Sequence, residues 1–296
     1  MLNLDGLTPG AALLMEGGAM RGIFTTGVLD AFMEKGLYFQ KLAAISAGSL
    51  QGLCYASHQK GRNRRINTTY CSDPRYMGMP HLFRGGSYFN FKFIFGELAH
   101  TLDPFDYDTF RESRQELFAV ITDCASGRAQ FVSSWSMPVE SFMKVCEASC
   151  SIPLFSRPVA LPGGDYVDGG VGMPLAPLPE ELPFPCTKPV YILTRDVTYR
   201  KKPAPRALRW VMEARYGRTY PAIVEGMCSI PERYNERVRT VLAMEKEGKA
   251  FVIRPSRPTE VSRVEKDSKK LEALYEEGYQ IGLDRIEELG EWLHEA

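Results

Sequence analysis

Three short motifs carry the residues whose types and spacing could do chemistry. The first is Glu16-Gly17-Gly18-Ala19-Met20-Arg21-Gly22. Small side chains there let backbone N–H groups converge on one point, and a helix starting just beyond adds positive potential. Such a loop suits an anion, either a phosphate or the transient oxyanion of a reaction. No Gly-Lys-Ser/Thr closes it, which excludes a P-loop, and Lys41 and Leu42 stand where a dinucleotide fold needs an acidic residue. The second motif is Ala44-Ile45-Ser46-Ala47-Gly48. A serine between small residues at a strand-to-helix elbow is held in strained backbone geometry with its hydroxyl above the sheet edge. The third is Asp168-Gly169-Gly170, a carboxylate on a tight turn that can approach another loop closely. Each motif alone has a plainer reading: a structural glycine turn, a helix N-cap, an ordinary Asp-Gly turn.

The elements that must position these residues follow from hydrophobic spacing. Ala11–Met15 reads as a short buried strand, followed by the glycine-rich turn. Phe24, Val28, Ala31 and Phe32 recur at helical spacing between Gly22 and Lys35, and Gly36 supplies the stop. A second strand, Leu42 to Ile45, runs directly into Ser46, and a helix is expected from Ala47 to about His58. Strand–turn–helix twice over, with short connections, is the rhythm of a parallel sheet covered by helices. Gly61–Asp108 reads as loops and short helices. Strands are expected at Leu117–Thr122, Ala129–Ser133, Pro189–Thr194 and Phe251–Arg254, and helices at Val139–Ser149, Ala207–Tyr216, Ala222–Gly248 and Glu265–Leu293. Leu161–Pro179 reads as turn-rich. No internal repeat and no long linker interrupts the chain, so one domain over 1–296 is expected.

Lys+Arg and Asp+Glu both total 36, which removes any global electrostatic reason to expect nucleic-acid binding. The charge is locally uneven: Arg195–Arg218 holds eight basic residues against Asp196 and Glu213. Seven scattered cysteines without a Cys-x-x-Cys pair argue against a zinc site or a disulfide framework and suit a reducing cytosol. No apolar run approaches the roughly 18 residues of a membrane span, and Ala11–Met15 is too short for a signal sequence. The chain is therefore expected to start near Met1 and to stay in the cytoplasm.

The combination of motifs is more specific than its parts. A glycine-rich loop, a small-x-Ser-x-Gly elbow and a distant Asp-Gly-Gly, in that order, resemble the patatin-like phospholipase family over about residues 11–195. Ser151-Ile152-Pro153 and Thr122-Asp123 ahead of Gly127 belong to the same resemblance. Glu16-Gly-Gly-x-x-Arg21-Gly22 and Phe83-Arg-Gly-Gly86 resemble uncharacterised bacterial members in particular. The resemblance implies a three-layer α/β/α sandwich around a mostly parallel sheet. It fades after Arg195, and the helical pattern of residues 196–296 is expected to form an extension packed on the same domain. It implies that Ser46 is the nucleophile, Asp168 the general base, and the backbone of Gly17, Gly18 and Ala19 the oxyanion hole beside Arg21. Gly22, Gly48, Gly169 and Gly170 are its motif glycines. Ala19 and Ala44 stand at expected glycine positions, and a methyl at Ala19 would tilt an oxyanion donor if its φ is positive.

Histidine supports this assignment by its positions. A downstream histidine completes the triad of other α/β hydrolases. Of His58, His81, His100 and His294, only His294 follows Asp168, and it lies near the C-terminus. Direct Ser–Asp chemistry needs no metal or organic cofactor. The expected substrate is a lipid or other acyl ester. Six aromatics between Phe83 and Phe95 suit either ordinary packing or an acyl-chain groove. The basic run 195–218, with Trp210, suits either a solvated helix face or transient contact with an anionic membrane. Two rival readings stay open: a His-dependent carboxylesterase, and a catalytically weak protein of the same fold that binds or regulates.

Overall fold

The computed structural model describes residues 10–294, so the expected chain start near Met1 lies outside it. Its centre is an eight-stranded sheet: β1 (Ala11–Met15), β2 (Lys41–Ile45), β3 (Glu116–Asp123), β4 (Ala129–Ser133), β5 (Val159–Leu161), β6 (Gly164–Asp168), β7 (Lys188–Ile192) and β8 (Phe251–Ile253). The strand order is β5-β6-β3-β2-β1-β7-β8, with β4 also paired to β3. The central run β3-β2-β1-β7-β8 is parallel throughout, whereas β4, β5 and β6 add antiparallel pairs at one side. Every residue of β1 is buried, as expected of a central strand covered on both faces.

The helices are α1 (Ile23–Glu34), α2 (Ala47–Ala56), α3 (Arg62–Tyr70), α4 (Met79–Gly85), α5 (Phe91–Phe93), α6 (Tyr107–Glu112), α7 (Val139–Ser149), α8 (Gly169–Gly172), α9 (Arg206–Tyr216), α10 (Pro221–Lys246), α11 (Ser268–Asp284) and α12 (Ile286–His294). Alternation along the strands divides them into two layers. Leu13, Met15, Leu42 and Ala44 pack with α1, α2, α7, α11 and α12 on one face. Ala12, Leu14, Ala43 and Tyr191 pack against Tyr234, Val238 and Val241 of α10 on the other. Each of those buried α10 side chains contributes about 1.5–3 kcal/mol by leaving water. The result is the expected three-layer α/β/α arrangement.

Two regions differ from the sequence expectations. Leu161–Pro179 is not turns alone, because β6 lies within it and β5 ends at Leu161. These strands are short, glycine-bounded and antiparallel, so their apolar pattern is too brief to stand out. The expected helix 265–293 is two helices. Asp267 caps α11 by accepting from Lys269 N and Lys270 N, and the chain turns again at Arg285 before α12.

Candidate active site

The loops that follow β1, β2, β7 and β8 all emerge at the carboxyl ends of adjacent parallel strands, where open α/β sheets place their sites. Ser46 follows β2 with φ 54° and ψ −129°, a conformation that costs a non-glycine residue about 1–3 kcal/mol. It occupies the N-cap position of α2 but makes no side-chain capping bond, so the plainer N-cap reading fails. Its backbone is fully engaged instead. Ser46 N donates to Ser149 Oγ at 2.9 Å, and Ser46 O accepts from Ser49 N at 2.9 Å and Ser49 Oγ at 2.6 Å. The fold thus anchors the elbow through its backbone and leaves the hydroxyl uncommitted to the cap of α2. Only 6% of Ser46 is exposed.

Asp168 ends β6 and is placed by three contacts. Its N–H donates to Ser151 O at 2.9 Å, its C=O accepts from Thr122 Oγ1 at 2.8 Å, and its Oδ1 accepts from Gly170 N at 2.7 Å. The carboxylate therefore caps α8 with one oxygen. The other, Oδ2, is buried without a hydrogen-bond partner among the described residues. Burial pushes the Asp168 pKa up to about 6, opposed by the neighbouring Ser46 hydroxyl, the Gly170 N–H, and the charges of Arg263 and Lys201. Ser46 and Asp168, 122 positions apart in the sequence, line one cleft.

The glycine-rich loop lies over the elbow. A Cβ on Gly17 would stand 2.8 Å from Ser46 Cβ and 2.9 Å from Ile45 O, so only glycine allows this approach. A Cβ on Gly169 would meet Val120 O at 2.2 Å, the same constraint beneath the carboxylate. Gly18 precedes the 3₁₀ turn Ala19–Gly22, Gly22 precedes α1, and Gly48 sits in the first turn of α2 against Met15. Ala19 has φ 50°, so the condition attached to its methyl is met, at about 1–2 kcal/mol. Ala44 is buried in the core without strain and pairs with Met15 and Ala119 across the sheet.

Several residues at the site had no distinct sequence signal. Glu16 is buried and accepts from Thr194 N at 2.6 Å and Tyr234 OH at 3.0 Å, bracing β1, β7 and α10 together. Arg195, Lys201 and Arg263 join Arg21 along the cleft that holds Ser46 and Asp168. Arg195 and Lys201 belong to the basic run, whose charge was legible but whose direction was not. The rest of that run differs: α9 is largely exposed, with Trp210 72% exposed and Arg209 paired to Glu213 and Glu225.

A second, largely apolar cavity meets the first at Ala19, Ser46 and Ile152. Its walls include Leu50, Leu53, Ile66, Phe89, Phe91 and Phe95. The π-helical segment Ile94–Leu102 adds Ile94, Leu98 and Ala99. Of the aromatic cluster, Phe83 is 74% exposed and Tyr88 and Phe93 pack in the core. Neither cavity is lined by histidine among the described residues. His58 sits against Gln115 and Tyr38, His81 against Pro74 O, and His100 against Tyr107.

A family model described as patatin-like phospholipase matches residues 13–179, more than half of the chain. The chain belongs to the patatin-like phospholipase family. Its Ser46 and Asp168 fall within the patatin-like stretch, whereas Arg195, Lys201 and Arg263 lie beyond it. A second model, described as a domain of unknown function (DUF6363), matches residues 220–294. This patatin-like chain is similar to the uncharacterized protein YjjU of Escherichia coli (strain K12), 30% identical over 177 residues, which cover 57% of this chain and 48% of that protein. The match thus spans about half the length of that relative. The crystal structure of VipD from Legionella pneumophila aligns with 96% of this chain and 67% of that one, at 14% identity and a TM-score of 0.46. No helix among the described residues is long and apolar enough to cross a membrane.

Proposed function

We propose that this chain is a serine acyl hydrolase that cleaves carboxylic ester bonds of lipids through Ser46 and Asp168. The observation that carries this reading is the pairing of a strained, uncapped Ser46 with a buried Asp168 that keeps one oxygen unpartnered. Ser46 Oγ attacks the ester carbonyl while Asp168 takes its proton, which avoids forming a free alkoxide. The backbone of Gly17, Gly18 and Ala19, beside Arg21, holds the oxyanion, a contribution of about 3–4 kcal/mol per donor. The alcohol leaves with the proton held by Asp168, and water, deprotonated by the same carboxylate, releases the acid. Histidine's usual task thus falls to a carboxylate whose pKa, at about 6, is closer to the optimum for a base near neutral pH.

The apolar cavity opening at Ser46 supports a long acyl chain rather than an acetyl group. Exposed Trp210, with the basic residues of 195–218 that do not turn into the cleft, supports peripheral contact with an anionic membrane of a cytoplasmic protein. A fluorophosphonate probe tests the assignment directly. Mass mapping is expected to find the label on Ser46, and Ser46→Ala should lose labelling and ester hydrolysis with its melting temperature nearly unchanged. Labelling of a different serine, or hydrolysis that persists in Ser46→Ala, would overturn it.

A further inference from the structure

The cleft beside Ser46 has a charge pattern that ester hydrolysis alone does not require. Four cations line it, Arg21, Arg195, Lys201 and Arg263, against the carboxylates of Glu16 and Asp168. Glu16 is already committed to Thr194 N and Tyr234 OH. None of the four cations is in an ion pair or donates a side-chain hydrogen bond to another described residue. Arg195 and Lys201 rest instead on aromatic faces, with Arg195 Cζ 4.3 Å from the Tyr199 ring centre and Lys201 Nζ 4.1 Å from that of Tyr234. Arg21 is 7% exposed, and its Nε is buried with no partner among the described residues.

Such an arrangement is costly without an anion. Arg21 is buried and loses hydration, Arg195 and Lys201 are half-buried and Arg263 is exposed at the rim, so the like charges repel most strongly at the inner end of the cleft. Burial, with Arg195 and Arg263 nearby, lowers the Arg21 pKa to about 10, and burial, with Arg263 and Arg21, lowers that of Lys201 to about 8. Four cationic side chains thus face two carboxylates, leaving two positive charges unopposed. Their origins in the chain matter as well. Arg21 follows β1, Arg195 and Lys201 follow β7, and Arg263 follows β8, where Arg263 O accepts from Met20 N at 3.3 Å. Neighbouring strands therefore aim the set into one place, and the last member comes from the region matched by the domain of unknown function.

We propose that Arg21, Arg195, Lys201 and Arg263 form a subsite for a phosphate monoester, carried on the alcohol side of the acyl ester that Ser46 cleaves. The class follows from charge. A phosphate monoester carries about −1.5 to −2 at neutral pH and presents three acceptor oxygens, matching the two unopposed charges. A phosphodiester headgroup bearing a quaternary or primary amine has a single negative charge, and its cation would meet these arginines. The acyl chain then fills the apolar cavity and the phosphate the cationic cleft, with the ester between them at Ser46.

This inference rests on the hydrolase reading for its substrate, but phosphate binding can be measured without turnover. Inorganic phosphate is titrated into the full-length chain by calorimetry, and kcat/KM is compared for a short-chain acylglycerol phosphate and the acylglycerol lacking phosphate. Phosphate should bind, and the phosphorylated ester should be preferred by about tenfold or more. Arg263→Gln and Lys201→Gln should each lower that preference about tenfold and weaken phosphate binding, while Arg263→Lys keeps most of both. Taking the ratio within each variant cancels any shared change in Asp168. Phosphate binding with equal rates on both esters would assign the cleft to a free phosphate inhibitor and overturn the substrate proposal. Absence of phosphate binding, or a preference that survives both Gln variants, would overturn the subsite. If neither ester is hydrolysed and Ser46 resists fluorophosphonate, the hydrolase reading fails, and calorimetry of the wild type and variants then decides the phosphate subsite by itself.

Discussion

Asp168 links catalysis to stability, with opposite signs. Folding raises its pKa from 3.8 to about 6, chiefly by burial, so between those values the folded chain binds more protons than the unfolded one. Stability contributed by this group therefore falls as pH rises through the window, and the deficit is complete above about 6. Two pKa units correspond to a deficit on the order of 3 kcal/mol. Asp168→Asn should retain the Gly170 N–H contact and lose the charge. We expect it to be more stable than the parent by on the order of 1–3 kcal/mol at pH 8, with the gap closing near pH 4. Urea denaturation at both values measures this, and a variant less stable than the parent at pH 8 would count against it. In the parent, log kcat/KM should rise with unit slope and level off above about pH 6. The Asn variant should lose several orders of magnitude, because an amide does not accept the serine proton.

Among the elements, the crossing of α1 and α11 decides how the C-terminal region meets the site-bearing core. Gly27 and Gly278 face each other there. A Cβ on Gly27 would stand 2.2 Å from Tyr275 O, and one on Gly278 2.2 Å from Phe24 O. The helices thus touch backbone to backbone, and Tyr275 OH seals the contact by donating to buried Asp30 Oδ2 at 2.9 Å. Gly278→Ala forces the helices apart and should cost about 1–3 kcal/mol, despite alanine's better helix propensity. Differential scanning calorimetry reads this as a lower Tm. An unchanged or higher Tm would show that the crossing relaxes freely. Since α1 begins directly after the glycine-rich loop, the same contact also fixes the loop that overlies Ser46.

For the whole molecule, residues 196–294 are structurally continuous with the patatin-like stretch. They supply β8 at the sheet edge, α10 over one face and α11 against α1. Removing them would expose the edge of β7 and the apolar row Ala12, Leu14 and Tyr191. We expect one cooperative unfolding transition, with far-UV circular dichroism and tryptophan fluorescence giving the same midpoint. The three tryptophans, Trp135, Trp210 and Trp292, sample distant parts of the fold. Separate midpoints, or a soluble and native-like chain ending at Arg195, would mean that the C-terminal region folds as an independent unit.

The central strands, most long helices and all three motifs were legible in the amino-acid sequence because their signals are local. Ala11–Met15 is apolar throughout, α1 and α7 carry helical spacing, and the small residues around Ser46 mark a close strand–helix passage. The signals that were missed depend on contacts distant in sequence. The strand β6 gains its identity from pairing with β3, and the α11–α12 break follows a cap and a turn inside one charged segment. The basic run showed its charge, but only the carboxyl ends of β7 and β8 turn Arg195, Lys201 and Arg263 toward Arg21. Glu16 read as part of a loop until Thr194 and Tyr234 reached it from far along the chain. Spacing along the chain determines secondary structure and which small residues permit close approach. Which charges face one another is decided by the order of strands in the sheet, because only that order brings their loops together.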